Sequence, residues 1–373
     1  MIKVLHVLPR LYPGGGIDSF FINYFRNMPS DDFQIDVICH EVIDDTYVKE
    51  VEARRGTVTV LDHVSLGNTL RIHNEIKQYF NEQVEQYDIV HCSMANAAYM
   101  YLSAAQNAGV PVRILHSHQS EYADRFSHKI RNIPLVAWGK RFATHNVAAS
   151  RLAGNFLFGQ GNYLVIPNAI DTEAECFDSS LRLRQREQMG LTDDAKIVGV
   201  VGRMTPQKNQ QFALHLLKAL NDKSVYMVFL GDGDDMSANQ RLAKDLNIAE
   251  NVRFLGNQPD LHAYYCAMDA LIMPSLYEGL PLTLVESQAA GLPAMASTGI
   301  SSEAKLSDFV DFYNLDEGPA KWTQPLQEIL SASPDRRQGA RQVAQSGYDI
   351  HAAASRLAEF YKSAVNEKGT NEQ

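Results

Sequence analysis

Short, almost wholly apolar runs alternate along this chain with longer stretches in which apolar positions recur every three or four residues. The first half contains Val4–Leu8, Ile35–Ile38, Val58–Leu61, Ile89–Cys92, Val112–Leu115, Asn146–Ala149 and Leu164–Ile166. A second set begins at Ile197–Val201 and continues through Val225–Leu230, Val252–Leu255, Ala270–Met273 and Ala294–Ser297. Runs of this length, rich in Val and Ile and bounded by Gly, Pro, Asn or Asp, predict buried strands. The stretches between them, such as the one carrying Phe212, Leu216, Leu217 and Leu220, predict crossover helices. The fold class is therefore α/β, with two parallel sheets. The pattern restarts near Pro167-Asn168-Ala169-Ile170-Asp171, and Leu181–Met189 reads as the first helix of the second half. This places one domain at residues 1–168 and another at 169–349. A last helical pattern at about 350–365 carries Ala353, Leu357, Phe360, Tyr361 and Ala364 on one side, and is long enough to cross back to the first domain; residues 366–373 read as a polar tail.

Composition agrees with two cores. A chain of 373 residues exceeds the usual size of one hydrophobic core. Its formal net charge of −10 argues against nucleic acid as a partner for the whole molecule. Cys39, Cys92, Cys176 and Cys266 are scattered and form no paired motif, so they read as reduced thiols rather than as a zinc site or disulfide framework. The opening run is broken by Pro9 and Arg10, too early for a signal peptide, and no run reaches the roughly 20 apolar residues of a membrane span. These features predict a cytoplasmic protein.

The candidate chemistry lies where predicted strands give way to helices. After the strand ending at Met273 comes Glu278-Gly279-Leu280-Pro281-Leu282-Thr283-Leu284-Val285-Glu286, with Pro281 at the first position of a helix that runs to Ala290 before Gly291. Amides of such a first turn have no partner within the helix, and the helix dipole favours negative charge there, so a diphosphate fits. Glu278 stands before this helix and Glu286 about two turns into it. Another loop, Gly202-Arg203-Met204-Thr205-Pro206-Gln207-Lys208-Asn209, offers a planar fork of donors and a mobile point charge, two complementary ways to hold phosphate. Gly231-Asp232-Gly233 and Gly256 close the following strands and are placed to border a nucleotide base. In the first half, Pro13-Gly14-Gly15-Gly16-Ile17-Asp18 joins strand to helix with three glycines, a turn through which a backbone can approach a ligand. The spacing is not that of a nicotinamide fingerprint.

The order and spacing of these motifs resemble those of the family-four retaining glycosyltransferases of the GT-B fold, and among them the enzymes of capsular and exopolysaccharide assembly. Gly15-Gly16-Ile17-Asp18, His116-Ser117-His118, Ile166 to Asp171, Val201-Gly202-Arg203 with Gln207-Lys208-Asn209, Leu230 to Gly233, and Pro274 to Pro281 running on to Glu286 and Pro293 carry the resemblance over nearly the whole chain. Asp18 stands where relatives commonly have Glu. The resemblance implies two Rossmann-like domains facing a central cleft, donor on the second and acceptor on the first. It implies that Arg203 and Lys208 neutralise the diphosphate and stabilise the leaving group, helped by amides of Gly279, Leu280, Leu282 and Thr283 around Pro281 and of Gly15 and Gly16. Glu286 would then bond the ribose, Glu278 would hold the transferred sugar, and Arg253, Phe254 and Gly256 would border the base.

His116 and His118 flank a Ser at a strand end, and we expect them to point oppositely, His116 toward the donor sugar and His118 toward the acceptor. The adjacent pairs Asp31-Asp32, Asp44-Asp45, Asp193-Asp194 and Asp234-Asp235 read as turns, so neither a metal nor a cofactor beyond the nucleotide-sugar co-substrate is expected. Arg125 to Arg141 mixes basic residues with Phe126, Ile133, Leu135, Val136 and Trp138, a composition suited either to a peripheral contact with anionic lipid at the inner face of the cell membrane or to a core helix with a solvated basic face. The expected activity is transfer from a nucleoside diphosphate sugar, UDP-linked, to a glycan or lipid-linked glycan. The alternatives are a GT-B sugar-nucleotide epimerase and a nonenzymatic sugar-nucleotide-binding partner of another transferase.

Overall fold

The computed structural model describes residues 1–13, 16–64, 67–82, 87–118 and 126–369. The chain divides into two compact units, an N-terminal one of Met1–Ala169 together with the segment from Ile350, and a C-terminal one of Ile170–Asp349.

The N-terminal unit holds seven strands, β1 (Ile2–Val7), β2 (Phe33–Cys39), β3 (Val58–Val60), β4 (Ile89–Cys92), β5 (Val112–Ser117), β6 (His145–Ala148) and β7 (Leu164–Val165), all paired in parallel in the order β3-β2-β1-β4-β5-β6-β7. Alternate strand residues feed opposite faces, and each face is covered. Phe20, Phe21, Tyr24 and Phe25 of the Gly16–Asn27 helix pack on one face with Ala353, Leu357, Tyr361 and Ala364 of the Ile350–Gly369 helix, while Ile72, Ile76, Phe80, Tyr101 and Leu102 pack on the other. The last helix thus belongs to the N-terminal core. Phe360 only adjoins this core, so the buried stripe is narrower than the periodicity predicts.

The C-terminal unit holds β8 (Lys196–Val201), β9 (Val225–Leu230), β10 (Val252–Phe254), β11 (Ala270–Met273), β12 (Ala294–Ser297) and β13 (Val310–Tyr313), in the order β10-β9-β8-β11-β12-β13 and again all parallel. Phe212, Leu216, Leu217, Leu220 and Trp322 cover one face; Tyr265, Leu284 and Leu292 cover the other. The edge strand β13 was not anticipated from the sequence, because only Val310 of its four residues is buried and it shows no apolar run.

In both sheets the strand order reverses next to the first strand, between β1 and β4 and between β8 and β11. At such a switch point the loops from the two strands leave in opposite directions and open a crevice beyond the carboxyl ends. These loops hold most of the residues singled out above.

Candidate functional site

At the C-terminal unit's switch point the loops after β8, β9 and β10 are laced together by their backbones. The Gly202 amide donates to the Leu230 carbonyl (2.9 Å), the Met204 amide to Asp232 (2.9 Å) and the Gly231 amide to Gly256 (2.8 Å). A side chain at Gly231 would meet the Gly202 carbonyl at 2.2 Å, and one at Gly233 the Met204 carbonyl at 2.3 Å; both residues also have positive φ. Only glycine permits this approach. The β11 loop is pinned on two sides. Leu276 N donates to Gln207 O (2.8 Å) and the Gln207 side chain to Tyr277 O (2.8 Å), while Glu278 exchanges backbone bonds with Gly299 and Ser301.

This lacing brings Lys208 and Glu278 together. The Lys208 ammonium donates to both carboxylate oxygens at 2.8 and 2.9 Å, and Ser275 donates a third bond to Glu278. Both side chains are largely buried, exposed by 19% and 10%. Lys208 and Glu278, expected to serve different parts of a donor, are therefore partners of one another. Arg203 on the same loop is exposed and makes no ion pair among the described residues. Nearby, Leu282–Ala289 forms the anticipated helix, with Pro281 as its capping residue rather than its first turn. The amides of Gly279, Leu280, Leu282 and Thr283 have no backbone acceptor among the described residues. An ammonium, an exposed guanidinium and open amides at a helix start are the kinds of group that hold an anion.

Glu286 lies on the same helix and accepts a bond from the Tyr265 hydroxyl at 2.9 Å. Burial pushes its carboxyl upward. Glu175, which the sequence reading did not single out, stands close enough to be coupled to it. Burial first, then the charge of Glu286, pushes Glu175 up to about 8, and its Oε2 is buried with no hydrogen-bond partner among the described residues. Glu175 follows the Pro167–Asp171 motif in sequence, the one signal that would have drawn attention to it. Arg253 departs from expectation. Its guanidinium turns back to the carbonyls of Glu250 and Val252 at the start of β10 and lies over Tyr226, away from the carboxyl end where a base would sit. Phe254 stacks on Phe229, 4.8 Å between ring centroids, and so faces the core; at that end of β10 it is the Gly256 carbonyl that joins the laced loops.

The N-terminal unit's switch point has a different character. Gly14 and Gly15 lie outside the described residues, and Gly16 opens the helix. Asp18 is buried, with Arg10 at 3.8 Å; burial raises its carboxyl to about 6, partly offset by Arg10. His116 and His118 do not diverge. Two residues apart on a strand means the same face, and their ring centroids are 3.8 Å apart with Phe20 edge-on to both. His116, expected to contact the donor sugar, is fully buried with its Nδ1 bonded to His91 Nε2 (2.9 Å). His118 reaches the surface and bonds the Ser93 hydroxyl on the β4 loop (3.2 Å).

The basic and aromatic segment divides. Arg125 lies outside the described residues, and a helix runs from Phe126 to Gly139. Asn132 and Val136 face inward, Ile133 and Trp138 are about half exposed, and Trp138 stacks on Tyr99. Lys140 is turned in to the Leu157 carbonyl. No helix among the described residues is long and apolar enough to cross a membrane. A cavity of about 520 Å³ lined by Lys196, Asp269, Pro293 and Arg336 lies at the amino ends of the C-terminal strands, the opposite edge from Lys208. Arg336 spends its donors there on the carbonyls of Tyr265, Cys266 and Met268.

Residues 14–174 match the model of Glycosyltransferase Family 4 and residues 182–308 that of Glycosyl transferases group 1. The putative glycosyltransferase EpsF of Bacillus subtilis is 29% identical over 371 residues, covering 96% of each chain. The Escherichia coli UDP-Gal:alpha-D-GlcNAc-diphosphoundecaprenol alpha-1,3-galactosyltransferase is 27% identical over 315 residues, 79% of each chain. Among solved structures, Anabaena HepE in complex with UDP superposes with a TM-score of 0.79 at 19% identity, covering 97% of this chain and all of that one. WaaG, a glycosyltransferase of lipopolysaccharide biosynthesis, gives 0.72 at 14% identity, covering 96% of this chain and 99% of that one. The fold is GT-B.

Proposed function

The chain belongs to the family-four glycosyltransferases, and on that premise we propose that it moves a sugar from a UDP-sugar to a growing cell-surface glycan carried on a lipid, with retention of configuration and without a metal ion. The observation that carries this reading is at the β8/β11 switch point, where Lys208 is held against Glu278, Arg203 is exposed on the same loop as Lys208, and the amides of Gly279, Leu280, Leu282 and Thr283 are open just after Glu278 in the chain. The names of the relatives support the rest: the Escherichia coli enzyme is named for UDP-galactose and a diphosphoundecaprenol acceptor, and HepE was solved with UDP and with UDP-glucose.

In this reading the diphosphate replaces Glu278 as the partner of Lys208. Glu278 is thereby released to accept hydrogen bonds from hydroxyls of the transferred sugar. Arg203 adds a planar fork of donors and the amides of the Leu282–Ala289 helix add dipoles, so charge building on the departing phosphate is neutralised by fixed protein groups. That is the work a metal ion does in other transferases. Glu286, oriented by Tyr265, holds the ribose hydroxyls, and the Gly231-to-Gly256 loops border the base. The acceptor is held by the N-terminal unit with His118 on its hydroxyl side. The acceptor oxygen forms its bond to the anomeric carbon on the face from which UDP leaves, the bond from that carbon to the β-phosphate oxygen breaks, and the acceptor proton passes to that oxygen. Exposed Ile133 and Trp138 offer a shallow contact with the membrane at its cytoplasmic face, where a lipid-linked acceptor is presented.

The test is incubation with a panel of UDP-sugars and a lipid-linked acceptor extract. Release of UDP with sugar transfer is expected. Interconversion of the sugar without UDP release would identify an epimerase, and binding without either reaction a nonenzymatic partner.

A further inference from the structure

Inside the N-terminal unit a hydrogen-bonded chain joins the C-terminal helix to the end of β5. His6 on β1 and His91 on β4 are register partners, with stacked rings 4.7 Å apart. The hydroxyl of Tyr361, on the Ile350–Gly369 helix, lies 2.5 Å from His91 Nδ1 and 3.3 Å from His6 Nε2. His91 Nε2 in turn meets His116 Nδ1 at 2.9 Å, and the His116 ring lies against that of His118. Tyr361, His91 and His116 are wholly inaccessible to solvent. The hydrogen-bonded chain ends at His116 Nε2, which, like Nδ1 of the adjoining His118, is buried with no partner among the described residues.

A neutral imidazole has one N–H and one lone pair, so each ring in such a chain must donate on one side and accept on the other. Burial holds these rings neutral. His6 is pushed down to about 3 by desolvation; His118 is pushed to about 3 and His91 and His116 well down, mainly by desolvation and then by the other rings. The bonds therefore have two self-consistent directions. In one, Tyr361 donates to His6 and accepts from His91 Nδ1–H, His91 Nε2 accepts from His116 Nδ1–H, and His116 Nε2 is a bare lone pair. In the other every bond reverses, and His116 Nε2 carries the proton. Nothing local to His116 sets this choice: it is tied to a hydroxyl two bonds away, on a helix that enters the unit only after the whole C-terminal unit has been traversed.

Resting on the glycosyltransferase reading and deepening it, we propose that Tyr361 and His91 are positioning residues of the acceptor side: together they fix which nitrogen of His116 carries the proton, and His116, in contact with the ring of His118, holds His118 in one state for the acceptor hydroxyl. A well-packed aromatic core would need the ring shapes alone. The hydroxyl of Tyr361 is the part that a core does not need and a relay does.

Tyr361→Phe keeps the ring and removes only the hydroxyl. With histidine rings labelled with nitrogen-15, wild type should show His116 as a single tautomer, and Tyr361→Phe should show averaged or exchanged ring shifts. The variant should also lose about tenfold in transfer kcat, the size of one hydrogen bond to a positioned group, with the UDP-sugar KM and UDP affinity unchanged. His91→Gln, a second route to the same break, should shift His116 in the same way. An unchanged His116 tautomer in both variants, or a lowered Tm with transfer kcat intact in the folded protein, would overturn the proposal. If neither wild type nor variant released UDP from any donor, the glycosyltransferase reading would fail instead. The ring shifts would then decide the relay alone, altered shifts supporting it and unaltered shifts refuting it.

Discussion

Around the N-terminal sheet's reversal between β1 and β4, buried imidazoles on β1, β4 and β5 and the Tyr361 hydroxyl lead toward His118 and Ser93 beyond the strand ends, with Arg10 and Asp18 on the β1 side; where the C-terminal sheet reverses between β8 and β11, the loops carry an ammonium held by a carboxylate, an exposed guanidinium and open amides. Topology is the same in the two places and electrostatics differ: neutral rings dominate the first, and an ammonium, a guanidinium and open amides the second. The parallel sheet fixes where a ligand binds, and the loops decide its charge. Desolvated histidines stay uncharged and suit a hydroxyl. A desolvated Lys–Glu pair is costly to break by removing one partner, but a dianionic ligand can take the place of Glu278 and keep Lys208 satisfied. Under the proposed function, the difference gives one crevice to a charged leaving group and another to a neutral nucleophile.

The comparison breaks most visibly at Lys208. Lys208→Ala should lower turnover by about 10²- to 10³-fold, the scale of losing a preorganised donor to a developing charge, and steady-state UDP release would measure it; unchanged kinetics would remove the phosphate site. Glu278→Ala should cost somewhat less, about 10²-fold in kcat, while leaving UDP affinity equal to or tighter than wild type, since Lys208 is freed; calorimetry together with kcat separates the two effects. His118→Ala should lower transfer by about ten- to a hundredfold, as for one lost hydrogen bond and a disturbed neighbour, yet leave slow hydrolysis of the UDP-sugar in place.

A smaller effect sharpens the C-terminal side. Glu175 is raised to about 8, from 4.5, so between those values the folded state keeps a proton that the unfolded chain has lost. Stability contributed by this group therefore falls as pH rises through that window and levels off above it. Glu175→Gln should raise Tm by about 2–4 °C at pH values above the window and progressively less toward its acid end, read by calorimetry at several pH values. The smallest expected effect is that of chelation: EDTA should leave UDP release unchanged, and a loss restored by added divalent cation would show that a metal shares the work assigned to Arg203 and Lys208.

Much of the fold was legible because strands buried on both faces show up as unbroken apolar runs, as at Val225–Leu230 and Ala270–Met273. The edge strand Val310–Tyr313 was not, since an edge needs no such run. Within the site, the glycines and the Glu278–Glu286 helix start were visible as local chemistry. The Lys208–Glu278 bond was not, because it joins residues 70 positions apart through loop packing that the sequence does not record. Orientation failed for a similar reason at Arg253, whose long side chain folds back to its own turn. At His116 and His118 the two-residue period of a strand already requires a shared face. His91 and Tyr361 gave no signal at all: each reads as one more residue in an apolar stripe.

In the proposed function the diphosphate is held chiefly by the C-terminal unit's charged crevice and not by the histidines of the N-terminal unit. Calorimetric titration of UDP into wild type, Lys208→Ala and His118→Ala tests this directly. We predict an affinity loss of about tenfold or more in Lys208→Ala, as for a hydrogen bond to a charged group, and wild-type affinity in His118→Ala. Full UDP binding by Lys208→Ala, or a loss confined to His118→Ala, would contradict it.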